Sequence, residues 1–185
     1  MTDEALLEQA AKRDETAFAV LYQRHRDALF TWAWRLTGSA TVAEDLVHDC
    51  FVALLKRPER FHPDRGSQLR TYLFAMLRNL SLKRSGRSQR ELATEDIDDV
   101  PDSGTSPLEA LARAETASLV DAAVAALPQL QREVLVLAQF EEISASEIAA
   151  VVGADIGTVK ARLHRARERL RRMLAPMRNK ERSTP

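Results

Sequence analysis

The chain has 185 residues, 45% of them apolar and 29% charged, and its 27 basic and 27 acidic side chains give a formal net charge of zero. That length allows one large or two small soluble domains. One cysteine excludes an internal disulfide and fits a reducing compartment. The acidic start MTDEALLEQAAKRDE is no secretory signal. No run approaches the ~18 apolar residues a membrane span needs, so no membrane insertion is expected and the chain reads as cytoplasmic.

Residues 4–12 read as a short helix, and Asp14 caps a longer one to about Leu36. Phe18, Leu21, Tyr22, His25, Leu29, Trp32, Ala33 and Leu36 recur at spacings of three and four along it. Trp32 continues that stripe, Trp34 points elsewhere as a partly exposed residue, and His25 reads as a packed histidine and not a ligand. After Thr37-Gly38-Ser39, Thr41 with Glu44 forms a capping box for the next helix. That helix buries Leu46, Val47, Cys50, Phe51, Leu54 and Leu55 and presents Asp45, His48 and Asp49 on the other side. By composition alone that acidic side is an ordinary solvated face.

Pro58 ends the helix, and RPERFHPDRGS follows as a loop. A third helical pattern carries Leu69, Tyr72, Leu73, Met76, Leu77 and Leu80, with Arg70, Arg78, Lys83 and Arg84 interleaved with Tyr72 and Phe74. Basic and aromatic side chains on one element suit a single nucleic-acid strand. A core aromatic helix with a basic outer face fits the spacing equally well.

The stretch 85–107 is rich in Ser, Gly, Pro and acids and reads as a flexible acidic linker. Charge is segregated here: residues 83–90 hold four bases and no acid, whereas 91–115 hold eight acids and one base. A neutral total therefore does not exclude nucleic-acid binding.

Pro107 opens a helix to about Leu127, with Leu108, Leu111, Leu119, Val120, Ala123 and Val124 apolar. Pro128 breaks it, and another helix runs from Gln129 to Phe140. The last stretch, SASEIAAVVGADIGTVKARLHRARERLRRML, is a helix-turn-helix. Ser144 and Glu147 make a capping box, Gly153 takes the left-handed turn, and Asp155 caps the second helix. In that helix Val159, Leu163, Ala166, Leu170 and Leu174 share one stripe, and His164 and Arg165 lie roughly opposite. Ten Lys/Arg against two Glu over 160–182 suit the major groove of DNA. The plain alternative is a solvated basic helix. Pro176 is expected to end it, leaving a frayed tail at 179–185. The fold class is thus all-α: two small helical domains joined by a flexible linker.

No Gly-rich phosphate loop, metal-spaced cluster or nucleophile–base pair is present, so no enzyme, cofactor or metal site is expected.

The stretches AEDLVHDCF, FHPDRGSQLRTYLFAMLRNLSLKR and LPQLQREVLVLAQFEEISASEIAAVVGADIGTVKARLHRARERLRRML resemble domains two and four of extracytoplasmic-function (ECF) bacterial sigma factors. The resemblance covers about residues 14–84 and 108–174. It implies a domain two at 1–84, the linker at 85–107 and a domain four at 108–178. It also implies a protein that binds core RNA polymerase, recognises −35 and −10 promoter DNA and aids −10 melting, often under an anti-sigma factor. Asp45, His48 and Asp49 would dock on polymerase, which replaces the solvated-face reading. Arg70, Tyr72, Arg78, Asn79, Lys83 and Arg84 would hold the −10 strand, Asn79 beside a flipped base. Thr158, Lys160, Ala161, Arg162, His164, Arg165 and Arg167 would face the −35 groove, and 129–140 would pack on the polymerase flap. The chain departs from the usual pattern with His48 for Gln, Cys50 for a hydrophobic residue, Tyr72 for Trp and Leu69 for Phe. A stand-alone helix-turn-helix regulator is the alternative that shares the C-terminal motif, and a protein-interaction adaptor with an incidental basic tail is the other.

Overall fold

A computed structural model describes residues 1–62, 68–86 and 116–181, with side chains in the last stretch from 119 to 175. The expected linker from 87 onward, the helix start at 107 to 115, and residues 182–185 lie outside these. Eight α-helices and no strand occur among the described residues: α1 (Asp3–Ala11), α2 (Glu15–Thr37), α3 (Ala40–Lys56), α4 (Leu69–Ser85), α5 (Thr116–Ala125), α6 (Gln129–Gln139), α7 (Ala145–Val152) and α8 (Ile156–Glu181). A 3-10 turn, Pro58–Arg60, follows α3.

Local chemistry sets the ends of the first helices. The Asp14 carboxylate accepts from the Ala17 N–H at 3.0 Å and starts α2. Gly38, at φ 69°, closes it. The cap of α3 is Ser39, whose hydroxyl accepts from the Val42 N–H at 3.4 Å. Thr41 was expected in that role but lies inside the first turn. Gly38 reverses the chain in one residue, so the extended cap position falls on Ser39.

α1 to α4 pack around the fully buried Trp32, Phe51 and Phe74. Trp32 meets Phe74 edge-on at 5.5 Å, and Phe51 sits 4.8 Å from Tyr22. Trp34 is half-buried, with the Arg35 guanidinium 5.7 Å from its ring. His25 is packed, as its place on the stripe implied: Nε2 lies 2.8 Å from Asp3 Oδ2, and Arg24 shares the same carboxylate. Cys50 is buried, its Sγ donating to the Leu73 carbonyl at 3.6 Å, and burial pushes the thiol up to about 12.

α5 to α8 form the second group, around Val134, Val136, Ile148, Val152 and Val159. Leu119, Ala123 and Val124 of α5 face inward, and Val120 is 42% exposed. α8 runs through Pro176 to Glu181 instead of ending at the proline. A proline removes one N–H, the donor to the carbonyl of residue 172, and Arg172 is exposed, so water can serve that carbonyl. The two groups are packed together: α2 against α5 and α6, and α4 against α7.

Candidate nucleic-acid interface

The helix-turn-helix is built by its caps. The Ser144 hydroxyl accepts from the Glu147 N–H at 3.3 Å, and the Glu147 carboxylate accepts from the Ser144 N–H at 3.1 Å. The Ser144 hydroxyl, foremost, holds Glu147 below the ordinary carboxylate range. Gly153 turns the chain at φ 64°. The Asp155 carboxylate accepts from the Thr158 hydroxyl at 2.6 Å and the Thr158 N–H at 2.9 Å, bonds that lower its pKa. Val159, Leu163 and Ala166 are thereby turned into the core. Lys160, Ala161, His164, Arg165 and Arg167 project outward along one exposed surface. Two members of the expected −35 set differ: Arg162 is buried, and the Thr158 hydroxyl is committed to its own cap.

α4 has two working faces. At about 100° per residue, Arg70, Thr71, Phe74 and Arg78 fall within one arc, and Tyr72, Ala75, Met76, Asn79 and Lys83 within the opposite one. The second face opens on a groove of roughly 460 Å³ whose other wall is Ala53, Lys56, Arg57 and Arg60. Four cations, a tyrosine and an amide thus line one concavity. Phe61 backs Tyr72 at 5.5 Å, and burial raises the Tyr72 phenol, which keeps its proton.

The first face is covered. Arg78 Nε donates to Glu133 at 2.7 Å, with the two side chains 4% and 0% exposed. Arg70 donates to Glu141 at 2.7 Å, and Thr71 to Glu147 at 3.4 Å. Burial raises Glu141 above the usual carboxylate value, with Arg70 opposing that shift. The six residues expected to hold one strand are therefore split. Tyr72, Asn79 and Lys83 share the open groove, and Arg70 and Arg78 face the second helical group. Arg84 pairs at 3.0 Å with Asp45, one of the residues expected to meet polymerase. Asp45, His48 and Asp49 are all exposed on α3.

Residues 21–91 match the family Sigma-70 region 2, and residues 117–170 match Sigma-70, region 4. The ECF RNA polymerase sigma factor SigL of Mycobacterium tuberculosis is 32% identical over 164 residues, which is 88% of this chain and 91% of that protein. The chain belongs to the ECF sigma factors. The ECF RNA polymerase sigma factor SigE of Mycolicibacterium smegmatis is also 32% identical, over 84% of this chain, which spans 60% of that relative's length. Among solved structures, the sigma factor RpoE of Bartonella quintana, in complex with the anti-sigma factor NepR, is similar with a TM-score of 0.65 at 29% identity. That match covers 85% of this chain and 96% of the other. This sigma factor recognises promoters for RNA polymerase, and its region 2 and region 4 matches fall in the first and second helical groups. No described helix is long and apolar enough to cross a membrane.

Sequence reasoning missed Lys56, Arg57 and Arg60. Their signal was present, three bases in five residues around Pro58, but it straddled the end of a helix and a stretch read only as a loop. It also missed the burial of Glu133 and Gln131, both without exposed surface. Polar residues flanked by Leu130, Val134 and Leu135 were the available sign.

Proposed function

We propose that the α4 groove holds the −10 strand of a melted promoter while the outer face of α8 reads the −35 duplex. Lys56, Arg57, Arg60 and Lys83 meet phosphates, Tyr72 offers a flat face to an unstacked base, and Asn79 pairs with the edge of a flipped one. Unstacking costs a few kcal/mol, which those contacts offset. Lys160, Ala161, His164 and Arg165 lie where base edges would come, with Arg167 toward the phosphates and Thr158 at the helix start, while the buried Arg162 supports the helix from within. Asp45, His48 and Asp49 dock on core polymerase, and their exposure on one helix side suits a basic partner. Arg70, Arg78 and Arg84 complete the −10 set once their carboxylate partners move aside. The region 1–84 works as domain two and 108–178 as domain four. A protein of this family with no catalytic cluster acts as a specificity subunit and not as an enzyme, in the cytoplasm where polymerase is. An anti-sigma factor is its expected inhibitor.

One observation carries this reading: the groove on α4 joins four cations, an aromatic ring and an amide, with no acid among its described lining residues. The test is run-off transcription by purified core polymerase on a fragmented genomic library, with and without the protein. New start sites sharing a −35 and a −10 element are expected. No new start sites, together with tight binding of the protein alone to duplex DNA, would favour a stand-alone regulator.

A further inference from the structure

We propose that Glu133 and Glu141 of the second helical group form an ionic latch on Arg78 and Arg70 of the first, and that the latch must open before this sigma factor can span a promoter. The inference rests on the reading above for which faces meet DNA and polymerase.

The seam carries charge pairs beside an apolar core that runs on from one group into the other. Glu133 is completely buried, and both its oxygens are engaged, one by Arg78 at 2.7 Å and the other by Gln129 at 3.1 Å. Glu141, 6% exposed, takes Arg70 at 2.7 Å. At the other end of the seam Arg35 pairs with Asp121 at 3.0 Å and lies 3.8 Å from the centre of the Phe140 ring. Arg132 answers in the reverse direction, donating to the Leu36 carbonyl at 3.0 Å. A carboxylate with no exposed surface is tolerable only while its guanidinium stays beside it. Once the groups part, water hydrates both ions, which offsets most of the attraction lost. Such a seam fixes one register and still opens, whereas an apolar seam of the same area would hold more firmly.

Geometry requires the opening. The −35 and −10 elements are, by their positions, ~25 base pairs apart, or roughly 85 Å at about 3.4 Å each. α8 packs on α7, and α7 packs on α4. Two helix layers at 8–10 Å put the −35 side only about 20 Å from α4. The closed form therefore cannot engage both elements. Residues 87–115 bound the separation of the two groups, since 29 residues reach at most about 100 Å.

The closed form also orders the encounter with polymerase. α6, the segment expected on the flap, has buried residues on every side, including Gln131, Glu133, Val134 and Leu137. Asp45, His48 and Asp49 are exposed at the same time. The acidic face of α3 docks first, and α6 is presented after the latch parts.

Small-angle X-ray scattering of the full-length chain tests the latch, with circular dichroism to follow helix content. The wild type is expected to be compact. Glu133→Gln and Glu141→Lys should each raise the radius of gyration by about a quarter above the ~16 Å of a compact chain of this length, with helix content unchanged. Arg70→Glu placed in the Glu141→Lys chain should restore the compact value. A wild type as extended as the variants, or variants as compact as the wild type, would overturn the proposal. Expansion without recovery in the charge-swapped chain would also overturn it, by assigning the seam to packing. Where Glu133→Gln costs helix content, the pair of Glu141 with the partly exposed Arg70 decides. Scattering needs neither polymerase nor promoter, so failure of the latch and failure of the promoter reading are told apart by run-off transcription.

Discussion

Arg165 and Asp49 are both exposed, so substitutions there read function with the apolar core left intact. Arg165→Ala should cost about 1–3 kcal/mol in −35 recognition, read as weaker open-complex formation on matched promoters and relaxed choice at one base position. Unchanged promoter choice and strength would show that the register of α8 differs. Asp49→Lys should weaken core polymerase binding on the order of tenfold by placing like charge against a basic partner. Its melting free energy should stay within ~0.5 kcal/mol of wild type; equal polymerase affinity would rule out the docking face. His25 carries the pH dependence. Burial, its largest cause, lowers the imidazole below its ordinary value, with Asp3 opposing and Arg24 and Arg70 adding to it. The unfolded chain then binds a proton near pH 6.5 that the folded chain refuses. Stability is complete above that pH and falls as pH drops through it toward the lower folded value. Urea melts at pH 7.5 and 5.5 should show a larger loss for wild type than for His25→Phe, in which Arg24 still serves Asp3. Periodicity alone placed His164 and Arg165 outside and His25 inside, because each answers to neighbours three and four residues away. Arg78 was not legible in that way, since Glu133 lies 55 residues further on.

At the scale of elements, the turn between α7 and α8 is set by one glycine. Gly153 is left-handed at φ 64°, and a Cβ there meets nothing within 4 Å. Gly153→Ala should therefore cost only the backbone term, about 1–2 kcal/mol, seen as a lowered thermal midpoint with helix content intact. No loss of stability would mean the turn relaxes to another conformation. Caps formed by one side chain and the next turn were readable: Asp14, Ser144 and Asp155 all act as expected. Ser39 was mistaken for part of a terminator because a Ser and a Thr two residues apart both offer a cap. Only the position of the left-handed Gly38 chooses between them. α6 was recognisable as a helix from Leu130, Val134, Leu135 and Leu137. Its burial on the polar side was not, because the arginine that neutralises Glu133 belongs to another element.

For the whole molecule, order and type of helices followed from local pattern, and the family resemblance followed from motifs within single elements. The docking of one helical group on the other sets matched charge beside a shared apolar core: Arg35, Arg70 and Arg78 against Asp121, Glu133 and Glu141. In sequence each reads as an exposed charge, Arg70 and Arg78 as candidates to hold a nucleic-acid strand. The buried sulfur of Cys50 has a practical consequence at this scale. Its thiol is closed to solvent, bonded to a carbonyl and raised to about 12, so at neutral pH it carries almost no thiolate and reacts slowly with alkylating reagents. A cysteine introduced at any exposed position can therefore be coupled to a maleimide dye in the otherwise native protein, and the signal comes from the chosen site alone.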